Sequence, residues 1–302
     1  MHRAAVLSRA KLLLLLGAVP ACAQSVPSDA AKLSIRELAR LMQIACPGPV
    51  KDAQTCAACP SDSGFPDDRR GWRLAAVTMG HFTAPKENEV LLSTVGCEPH
   101  AAGSGGAFLL RDEGNGYQQV WYRPGYIATD CKKLKATDGR DMLICESSDG
   151  HQGIEDQFLY LLDLNGPDAS TLRAAQIFFS VPDSLDSCAV MTDGYASTGY
   201  IERVSFSTKS QPARVEIGVN VRAGKAVLPQ KVLEEDCNLN SKPDSEDFKP
   251  VIATKALVFR FVFDGSSVHP AANNPDMNGI EPVAPVTSYF VPEPGHPIKA
   301  RR

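Results

Sequence analysis

The sequence predicts an all-β protein of four-stranded antiparallel repeats, preceded by a short N-terminal helix. The main observation is an internal repeat, since residues 87–112 reappear in outline at 140–163, about 51 to 52 residues later. Self-similarity at such a period indicates one supersecondary unit used several times, with each copy burying its apolar face against the next. A second observation is that no segment after residue 71 shows sustained helical periodicity, which disfavours a parallel α/β fold.

The first segment of the chain, residues 1–23, is predicted to be a secretory signal peptide. Its basic region, apolar stretch and A-x-A cleavage site are Arg3 to Lys11, Leu12 to Val19 and Ala21 to Ala23, so the mature chain is expected to begin at Gln24. An alternative is lipidation at Cys22, since the residues before it loosely resemble a bacterial lipobox. No apolar run approaches the roughly 20 residues of a membrane-spanning helix, so no transmembrane segment is predicted.

The net charge argues against nucleic-acid and membrane-surface partners, and the cysteine content indicates disulfide bonds. The signal carries three basic residues and no acidic one, so its removal changes the formal net charge from −4 to −7. This sign disfavours nucleic acid or an anionic membrane surface as a partner, because no broad positive field is available. Nine cysteines are present, and the eight outside the signal are an even number, which indicates disulfides in an exported chain.

Residues 24–71 are predicted to contain a helix followed by a cysteine-rich segment. Ser34 and Glu37 have the spacing of a capping box, and apolar residues then follow at helical spacing. A Pro-Gly-Pro sequence ends the helix, which is expected to span about residues 33–46. Cys56 and Cys59 follow in a stretch with several prolines and little periodicity, which indicates a loop fixed by disulfides.

The body of the chain, residues 72–270, is predicted to contain three repeats of four strands. Short runs rich in β-branched and aromatic residues alternate with Gly, Asn, Asp and Pro turn signals, and Asp138-Gly139 is a strong hairpin signal. The third repeat carries an insertion, residues 223–255, between its second and third strands. The predicted strands are Trp72–Phe82, Glu89–Gly96, Ala107–Asp112 and Tyr117–Tyr122; Cys131–Thr137, Asp141–Ser147, Gln157–Leu164 and Ala174–Val181; and Tyr200–Thr208, Arg214–Arg222, Ala256–Asp264 and Ser266–His269.

Residues 271–302 are a proline-rich tail that is expected to be mostly extended or disordered. The exception is Val286–Val291, which is rich in β-branched and aromatic residues. This segment is predicted to add a closing strand to an exposed sheet edge.

The four-stranded units resemble β-propeller blades, and within that group the FG-GAP or VCBS-type repeat of integrin-α-like propellers. Gly80-His81-Phe82 followed by Glu89–Leu92 is similar to that repeat's opening Gly-Asp-Phe and its strand of aliphatic residues. Thr137–Ile144 is similar to its Asp-Gly-x-x-Asp-aliphatic signature. The likeness covers residues 72–181, with a fainter third copy, and implies a propeller-like fold.

Two departures from the family limit this implication. The family's calcium loops contain several spaced aspartates, which Thr83–Asn88 replaces here, so calcium is not expected in repeat one. Propellers also typically need at least four blades, and only two or three repeats are found. A β-sandwich or an open stack of repeats is therefore the alternative architecture.

Matching positions in the repeats suggest a ligand site. His100 and His151 are predicted to lie in equivalent polar loops, which in a propeller share one face, so they are candidate ligands for a metal or an anion. Trp121 and Tyr122 belong to the densest aromatic cluster, and aromatic faces stack well on sugar rings. Strand alternation requires one face of that cluster to be core.

The insertion contains the spacing of a calcium loop. Oxygen donors stand at positions 1, 3, 5, 9 and 12 of a twelve-residue loop, namely at Asp236, Asn238, Asn240, Asp244 and Asp247. Ser241 replaces the Gly required at position 6, Pro243 stiffens the middle, and no Glu closes the loop. A solvated acidic insertion is therefore favoured over a calcium site, and no cofactor is expected.

The hairpin of repeat two predicts one disulfide, between Cys131 and Cys145. A two-residue turn at Asp138-Gly139 would place Cys131 opposite Glu146, so a bulge or a longer turn is needed to bring the two cysteines face to face. Cys188 and Cys237 remain as a pair in the C-terminal half. The other four cysteines allow three connectivities, in which one bridge must reach repeat one; they are Cys46, Cys56, Cys59 and Cys97.

No catalytic motif is found: the chain has no G-x-S-x-G, H-E-x-x-H, P-loop or dinucleotide fingerprint. The sequence therefore favours a non-enzymatic binding or scaffolding protein, periplasmic or extracellular, with a protein or carbohydrate ligand. The alternative is a secreted hydrolase that acts on a glycan or another polymer through an Asp/Glu pair. Three or four acidic side chains converging with aromatic rings in one cleft would favour the hydrolase.

Overall fold

The fold consists almost entirely of antiparallel β-structure. The computed structural model describes residues 29–63, 66–97, 105–125, 128–151, 154–165, 176–184, 196–208, 214–226, 249–250, 254–275 and 290–291. Within these residues there are three antiparallel sheets of four to six strands and one α-helix. The predicted all-β class, with four-stranded repeats and a short N-terminal helix, is confirmed.

A 3-10 helix over Asp29–Lys32 precedes the α-helix, α1, which spans Ile35–Ala45. Sixteen strands follow in the described part of the chain. They are β1 Val50–Asp52, β2 Thr55–Cys56, β3 Trp72–Gly80, β4 Glu89–Gly96, β5 Gly106–Asp112, β6 Tyr117–Pro124, β7 Asp130–Lys135, β8 Asp141–His151, β9 Ile154–Leu162, β10 Gln176–Asp183, β11 Ala196–Thr208, β12 Val215–Ala226, β13 Lys249–Pro250, β14 Lys255–Phe263, β15 Val268–Pro270 and β16 Phe290–Val291.

Each predicted repeat forms a sheet of its own. The first sheet has the order β1-β2-β3-β4-β5-β6, the second β10-β9-β8-β7 and the third β11-β12-β14-β15. Strands that are consecutive in a repeat are neighbours in its sheet, so each repeat is an antiparallel meander. The insertion joins β12 to β14, at the connection where it was predicted, and the two strands extend a few residues into the range assigned to it.

The sheets stack face to face because successive side chains of a strand point to opposite faces. In β4, Val90 and Leu92 pack with α1, whereas Leu91 between them packs with the second sheet. In β8, Leu143 packs with the first sheet and Ile144 with the third. The first and second sheets are thus covered on both faces, and their central strands are continuous apolar runs.

Among the described residues, the third sheet is covered on one face only. In β14, Phe259, Phe261 and Phe263 are buried and alternate with less buried residues, among them the exposed Val258 and Arg260. The order of layers is therefore α1, first sheet, second sheet, third sheet. A helix covers one end of this open stack, while the other end presents the more polar face that is typical of a terminal repeat.

The same side-chain-to-backbone hydrogen bond recurs at one position in all three repeats, which supports their equivalence. An aspartate after the third strand accepts a hydrogen bond from the backbone N–H two residues later, which shapes the turn into the fourth strand. The donor–acceptor distances are 2.9 Å for Asp112 and Gly114, 3.0 Å for Asp163 and Asn165, and 2.8 Å for Asp264 and Ser266.

The N-terminal segment begins with the predicted capping box. The Ser34 hydroxyl accepts from the Glu37 N–H at 3.2 Å, and the Glu37 carboxylate accepts from the Ser34 N–H at 2.8 Å. Two disulfides then fix this segment: Cys46–Cys56 within it, and Cys59–Cys97 to the end of β4, each with Cα atoms 5.5 Å apart. Cys59 is thus the cysteine that reaches repeat one, a choice that the sequence left open.

The predicted Cys131–Cys145 disulfide is present and joins β7 to β8. The turn at Asp138-Gly139 is the longer one that this pairing requires, not a two-residue turn. The strands end at Lys135 and Asp141, and Ala136 N–H donates to Arg140 C=O at 2.9 Å, so the turn is longer. The longer turn shifts the ladder by one step and brings the two cysteines into direct opposition, as the bridge requires.

Two placements differ from the sequence-based expectation. His151 does not lie in a loop, because β8 continues through the polar residues after Ser147 and pairs His151 with Ile154. Polar residues can continue a ladder because its hydrogen bonds are made by the backbone. Of the predicted tail strand, the structure describes Phe290–Val291, which pairs with Lys249–Pro250 rather than with the edge of a large sheet.

Several predictions fall outside the described residues. They concern the signal peptide with Cys22, the loop with His100, the Cys188–Cys237 pair and the acidic loop from Asp236 to Asp247.

The β7–β8 register predicts a specific disulfide map and a specific stability cost. Non-reducing peptide mapping is expected to give Cys131–Cys145, Cys59–Cys97 and Cys46–Cys56. Replacing Cys131 and Cys145 together by Ser is expected to lower the free energy of unfolding by about 3 kcal/mol in urea titrations, since a bridge across a short loop restricts the unfolded chain. A Cys131 peptide linked to another cysteine would contradict the register.

Candidate ligand-binding cleft

A small cleft lies where α1 meets the turn between β5 and β6. Its volume is about 270 Å³, which suits a ligand of a few rings at most. The wall from α1 carries charged side chains, and the wall from the hairpin carries polar groups and one aromatic ring. The lining residues are Glu37, Arg40, Asp112, Gly114, Asn115, Gly116 and Tyr117.

The hairpin wall is shaped by its turn. The Asp112 carboxylate accepts from Gly114 N–H at 2.9 Å, and Glu113 N–H donates to Gly116 C=O at 2.9 Å. Gly114 has a φ of +78°, which favours glycine, and a Cβ added there would meet no atom within 4 Å. The two glycines therefore leave the cleft open beside the Tyr117 ring.

The helix wall is positioned by burial of the opposite side of α1. Leu38, Leu41 and Met42 are buried in the core formed with the first sheet. Glu37 and Arg40 are exposed, and Glu37 is held in place by its two hydrogen bonds to Ser34. The capping box that starts the helix thus also orients a carboxylate in the cleft.

The hydrogen bonds, burial and charges of the cleft shift the pKa values of two of its side chains, Glu37 and Tyr117. Hydrogen bonds from the side chain and backbone of Ser34, with a smaller contribution from Arg40, lower the pKa of Glu37. Partial burial, and then the negative charges of Asp112 and Glu37, raise the pKa of Tyr117. At neutral pH the Tyr117 hydroxyl keeps its proton, as a phenol ordinarily does, and can donate a hydrogen bond to a ligand.

These groups together suit a polyhydroxylated ligand. Carboxylates accept hydrogen bonds from hydroxyl groups, and the Asn115 amide can both donate and accept. The half-buried Tyr117 ring, which packs partly against the core formed by α1 and the first sheet, adds apolar surface to the cleft. The cleft is smaller and more polar than most small-molecule sites, which are lined mainly by apolar side chains, so recognition in it would depend on hydrogen bonds.

The aromatic residues selected from the sequence, Trp121 and Tyr122, do not line the cleft. Tyr122 is buried in the first-sheet core, where its ring centroid is 4.5 Å from that of Phe108. Trp121 points to the opposite face of β6, packs in the core between the first and second sheets, and has the Arg123 guanidinium carbon 4.2 Å from its ring centroid. Tyr117, on the same strand, is the aromatic residue that reaches the cleft.

The histidine and calcium hypotheses are not tested by the described residues. Only the backbone of His151 is described, and His100 and the acidic loop fall outside. Among the residues that are described, no group of three or more His, Cys, Asp or Glu side chains could hold a metal ion. No helix in the described ranges is long and apolar enough to cross a membrane.

Two buried carboxylates have structural partners instead of ligands. Glu89, at the start of β4, accepts from Phe82 N–H and Thr83 N–H at 2.8 Å each and pairs with Arg111 at 3.0 Å. Asp141 occupies the equivalent position at the start of β8, accepts from His81 N–H at 2.8 Å and pairs with Lys135 at 2.8 Å. Both carboxylates hold the segment that resembles the integrin-like repeat opening.

The cleft was only partly visible in the sequence. The capping box identified Glu37, but no local pattern indicates that this helix and the turn between β5 and β6 meet. Their contact depends on how α1 packs across the first sheet, which is a tertiary property.

Comparison with models of known protein families and with curated protein sequences finds no match for this chain. The resemblance to integrin-like repeats therefore stays a prediction. The function of the cleft has to follow from its own chemistry.

One acidic pair outside the cleft makes stability depend on pH. Asp130 and Glu146 face each other across β7 and β8. Partial burial of the Glu146 carboxyl, and then the charge of Asp130, raise the pKa of Glu146. Because the folded state binds this proton more tightly than the unfolded state, Glu146 lowers stability as the pH rises through its folded pKa.

Glu146→Gln is therefore expected to stabilise the protein at pH 7, by about 0.5 kcal/mol, the scale of directly opposed like charges. The gain should disappear well below the ordinary glutamate pKa of 4.5, where the wild-type carboxyl is also neutral. Urea unfolding as a function of pH measures the difference, with Glu113→Gln in an exposed turn as the control. A gain that persists at low pH would rule out the electrostatic cause.

Proposed function

We propose that this protein is an exported, non-enzymatic binding protein that recognises a polyhydroxylated ligand, such as a carbohydrate, in the cleft between Glu37 and Tyr117. The observation that carries the proposal is the composition of the cleft. A neutral tyrosine, an amide and two carboxylates converge there beside a glycine turn that leaves room for a ligand.

Export is supported by the disulfides. Three bridges stabilise the described residues, and disulfides persist in oxidising compartments such as the periplasm or the extracellular space. The signal-like residues 1–23 point the same way. We place the protein in one of these two compartments, with cleavage before Gln24 preferred over lipidation at Cys22.

Binding is favoured over hydrolysis by the state of the carboxylates. A glycoside hydrolase needs one carboxylic acid that stays protonated, which requires a raised pKa. In the cleft, Ser34 lowers the pKa of Glu37 instead. Asp112 shapes its own turn through Gly114 N–H. Two carboxylates with one aromatic ring also fall short of the convergence that would favour the hydrolase.

Rigidity of the surroundings supports a recognition role. The Cys46–Cys56 and Cys59–Cys97 bridges fix the segment after α1 to itself and to the first sheet. A ligand site held by such supports loses little conformational entropy on binding. We extend the proposal to the repeats, which we regard as relatives of integrin-like blades that serve here as a scaffold for the cleft.

Binding to an array of defined oligosaccharides tests the proposal. The wild-type protein is expected to bind at least one glycan, and Tyr117→Ala to weaken that binding by about tenfold or more through loss of the apolar ring surface. Tyr200→Ala is the matched control, since Tyr200 is 45% exposed on the third sheet, far from α1.

A second pair of variants tests whether the negative charge of the cleft contributes to binding. Asp112→Asn keeps the turn but removes a charge from the cleft, whereas Asp264→Asn makes the same change at the equivalent turn of the third repeat. Only the first is expected to reduce binding. If each cleft variant (Tyr117→Ala, Asp112→Asn) affects binding no more than its control (Tyr200→Ala, Asp264→Asn), the binding site lies elsewhere. Release of new reducing ends from a bound glycan would show that the protein hydrolyses the glycan instead of only binding it.

A further inference from the structure

The cleft has an asparagine in the turn between β5 and β6, and the residue after it is a glycine. Asn115 lines the cleft together with Gly116. The side-chain amide of an asparagine lies close to the backbone nitrogen of the following residue, and attack by that nitrogen on the side-chain carbonyl carbon closes a cyclic imide. Because a following glycine has no side chain to shield its nitrogen, this pair of residues is the one in which the attack is least hindered.

The conformation of the turn leaves room for this attack. Asn115 is exposed and lies outside the ladder, which begins again at Tyr117. A Cβ added at Gly114 or at Gly116 would meet no atom within 4 Å, so open space surrounds the chain on both sides of the asparagine. The bond that closes the turn runs from Glu113 N–H to Gly116 C=O at 2.9 Å, and thus engages the carbonyl of Gly116 and not its nitrogen. The Asn115 side chain can therefore rotate toward an accessible nitrogen.

Two other asparagines of the described residues show what protects a side-chain amide. Asn220 lies inside the third sheet, where β12 pairs with both neighbours, and the next residue is the buried and β-branched Val221. Asn274 is held by two hydrogen bonds to the backbone of Arg260, at 2.7 Å and 2.8 Å, and Pro275 after it has no N–H. Asn115 differs from both in its exposure and in the glycine that follows it.

We propose that Asn115 deamidates spontaneously in the folded protein and that this modification ends ligand binding in the cleft. The Gly116 nitrogen attacks the side-chain carbonyl carbon of Asn115, a C–N bond forms, and the side-chain nitrogen leaves as ammonia with the proton that Gly116 gives up. Water then adds to either carbonyl of the cyclic imide and opens it to aspartate or isoaspartate. The sum is an amide and water converted to a carboxylic acid and ammonia, with no change in oxidation state. The effect on binding rests on the proposed function, whereas the modification does not.

Either product changes the cleft at the same point. Aspartate at position 115 lacks the N–H donors of the amide and brings a third carboxylate beside Glu37 and Asp112. Hydroxyl groups of a ligand then lose a donor, and the added negative charge repels the two carboxylates already there. Isoaspartate adds a methylene to the backbone and shifts the turn that forms the hairpin wall. Molecules of the protein therefore lose binding as they age.

Peptide mapping by mass spectrometry tests the modification on the folded, disulfide-bonded protein, incubated at neutral pH and body temperature for days. The Asn115 peptide is expected to convert to aspartate and isoaspartate forms, the second of which is the signature of the cyclic imide, while the Asn220 and Asn274 peptides keep their amides. Asn115→Gln is the control at the site itself and should keep its amide, because its longer side chain would have to close a larger ring. The same chain unfolded in urea sets the time scale. An Asn115 amide that persists in the folded protein after the unfolded chain has converted there would overturn the proposal.

A glycan that the fresh protein binds is the probe for the effect on binding. Aged wild-type protein should lose binding in proportion to the converted fraction, and aged Asn115→Gln should bind as it does when fresh. Asn115→Asp is expected to weaken binding by about tenfold or more, and Asn165→Asp, the same change in the corresponding turn of the second repeat, to leave it unchanged. Equal binding by Asn115→Asp and the wild type would overturn the effect on binding. A fresh protein that binds no glycan would contradict the proposed function itself, while the peptide map still decides the modification.

Discussion

Two buried carboxylates, those of Asp141 and Glu89, bind the backbone of the short segment after β3 and so join the first two sheets of the stack. Asp141, at the start of β8, accepts from His81 N–H and donates its own N–H to His81 C=O at 2.7 Å, so two sheets share a reciprocal pair of bonds. Glu89 holds the next residues from the other side. Phe82 is thereby fixed in the core between the sheets. A Cβ at Gly80 would lie 2.7 Å from the Phe82 ring and 2.9 Å from the Asp141 carboxylate, so a larger residue there would displace one of them.

Local signals were sufficient to predict the repeats. Alternating apolar runs and turn residues placed most strands of the three sheets within a few residues, and Ser34 with Glu37 placed the start of the helix. The register of β7 and β8 was harder, because it depends on backbone bonds between Ala136 and Arg140 within the turn. The polar composition after Ser147 also concealed the end of β8, since ladder bonds do not require apolar side chains.

The stacking order and the cleft could not be predicted, because both depend on contacts between segments far apart in sequence. Glu37 belongs to the start of a helix and Tyr117 to a hairpin, and each has a complete local explanation. Only the packing of Leu41 and Met42 on the first sheet brings them together. Glu89 and Asp141 are similar cases: both are acidic residues at strand starts, and their burial becomes visible only once the sheets are stacked.

The two unlike ends of the stack give the molecule a mechanical polarity. At the N-terminal end, the first sheet lies between a helix and a second sheet and is tied by two covalent bridges. At the C-terminal end, the described residues of the third sheet are held by one apolar face and a few hydrogen bonds to the second sheet, and no disulfide is among them. When the chain is pulled from its two ends, the third sheet is therefore expected to unfold first. The first sheet, which carries the cleft, would stay folded.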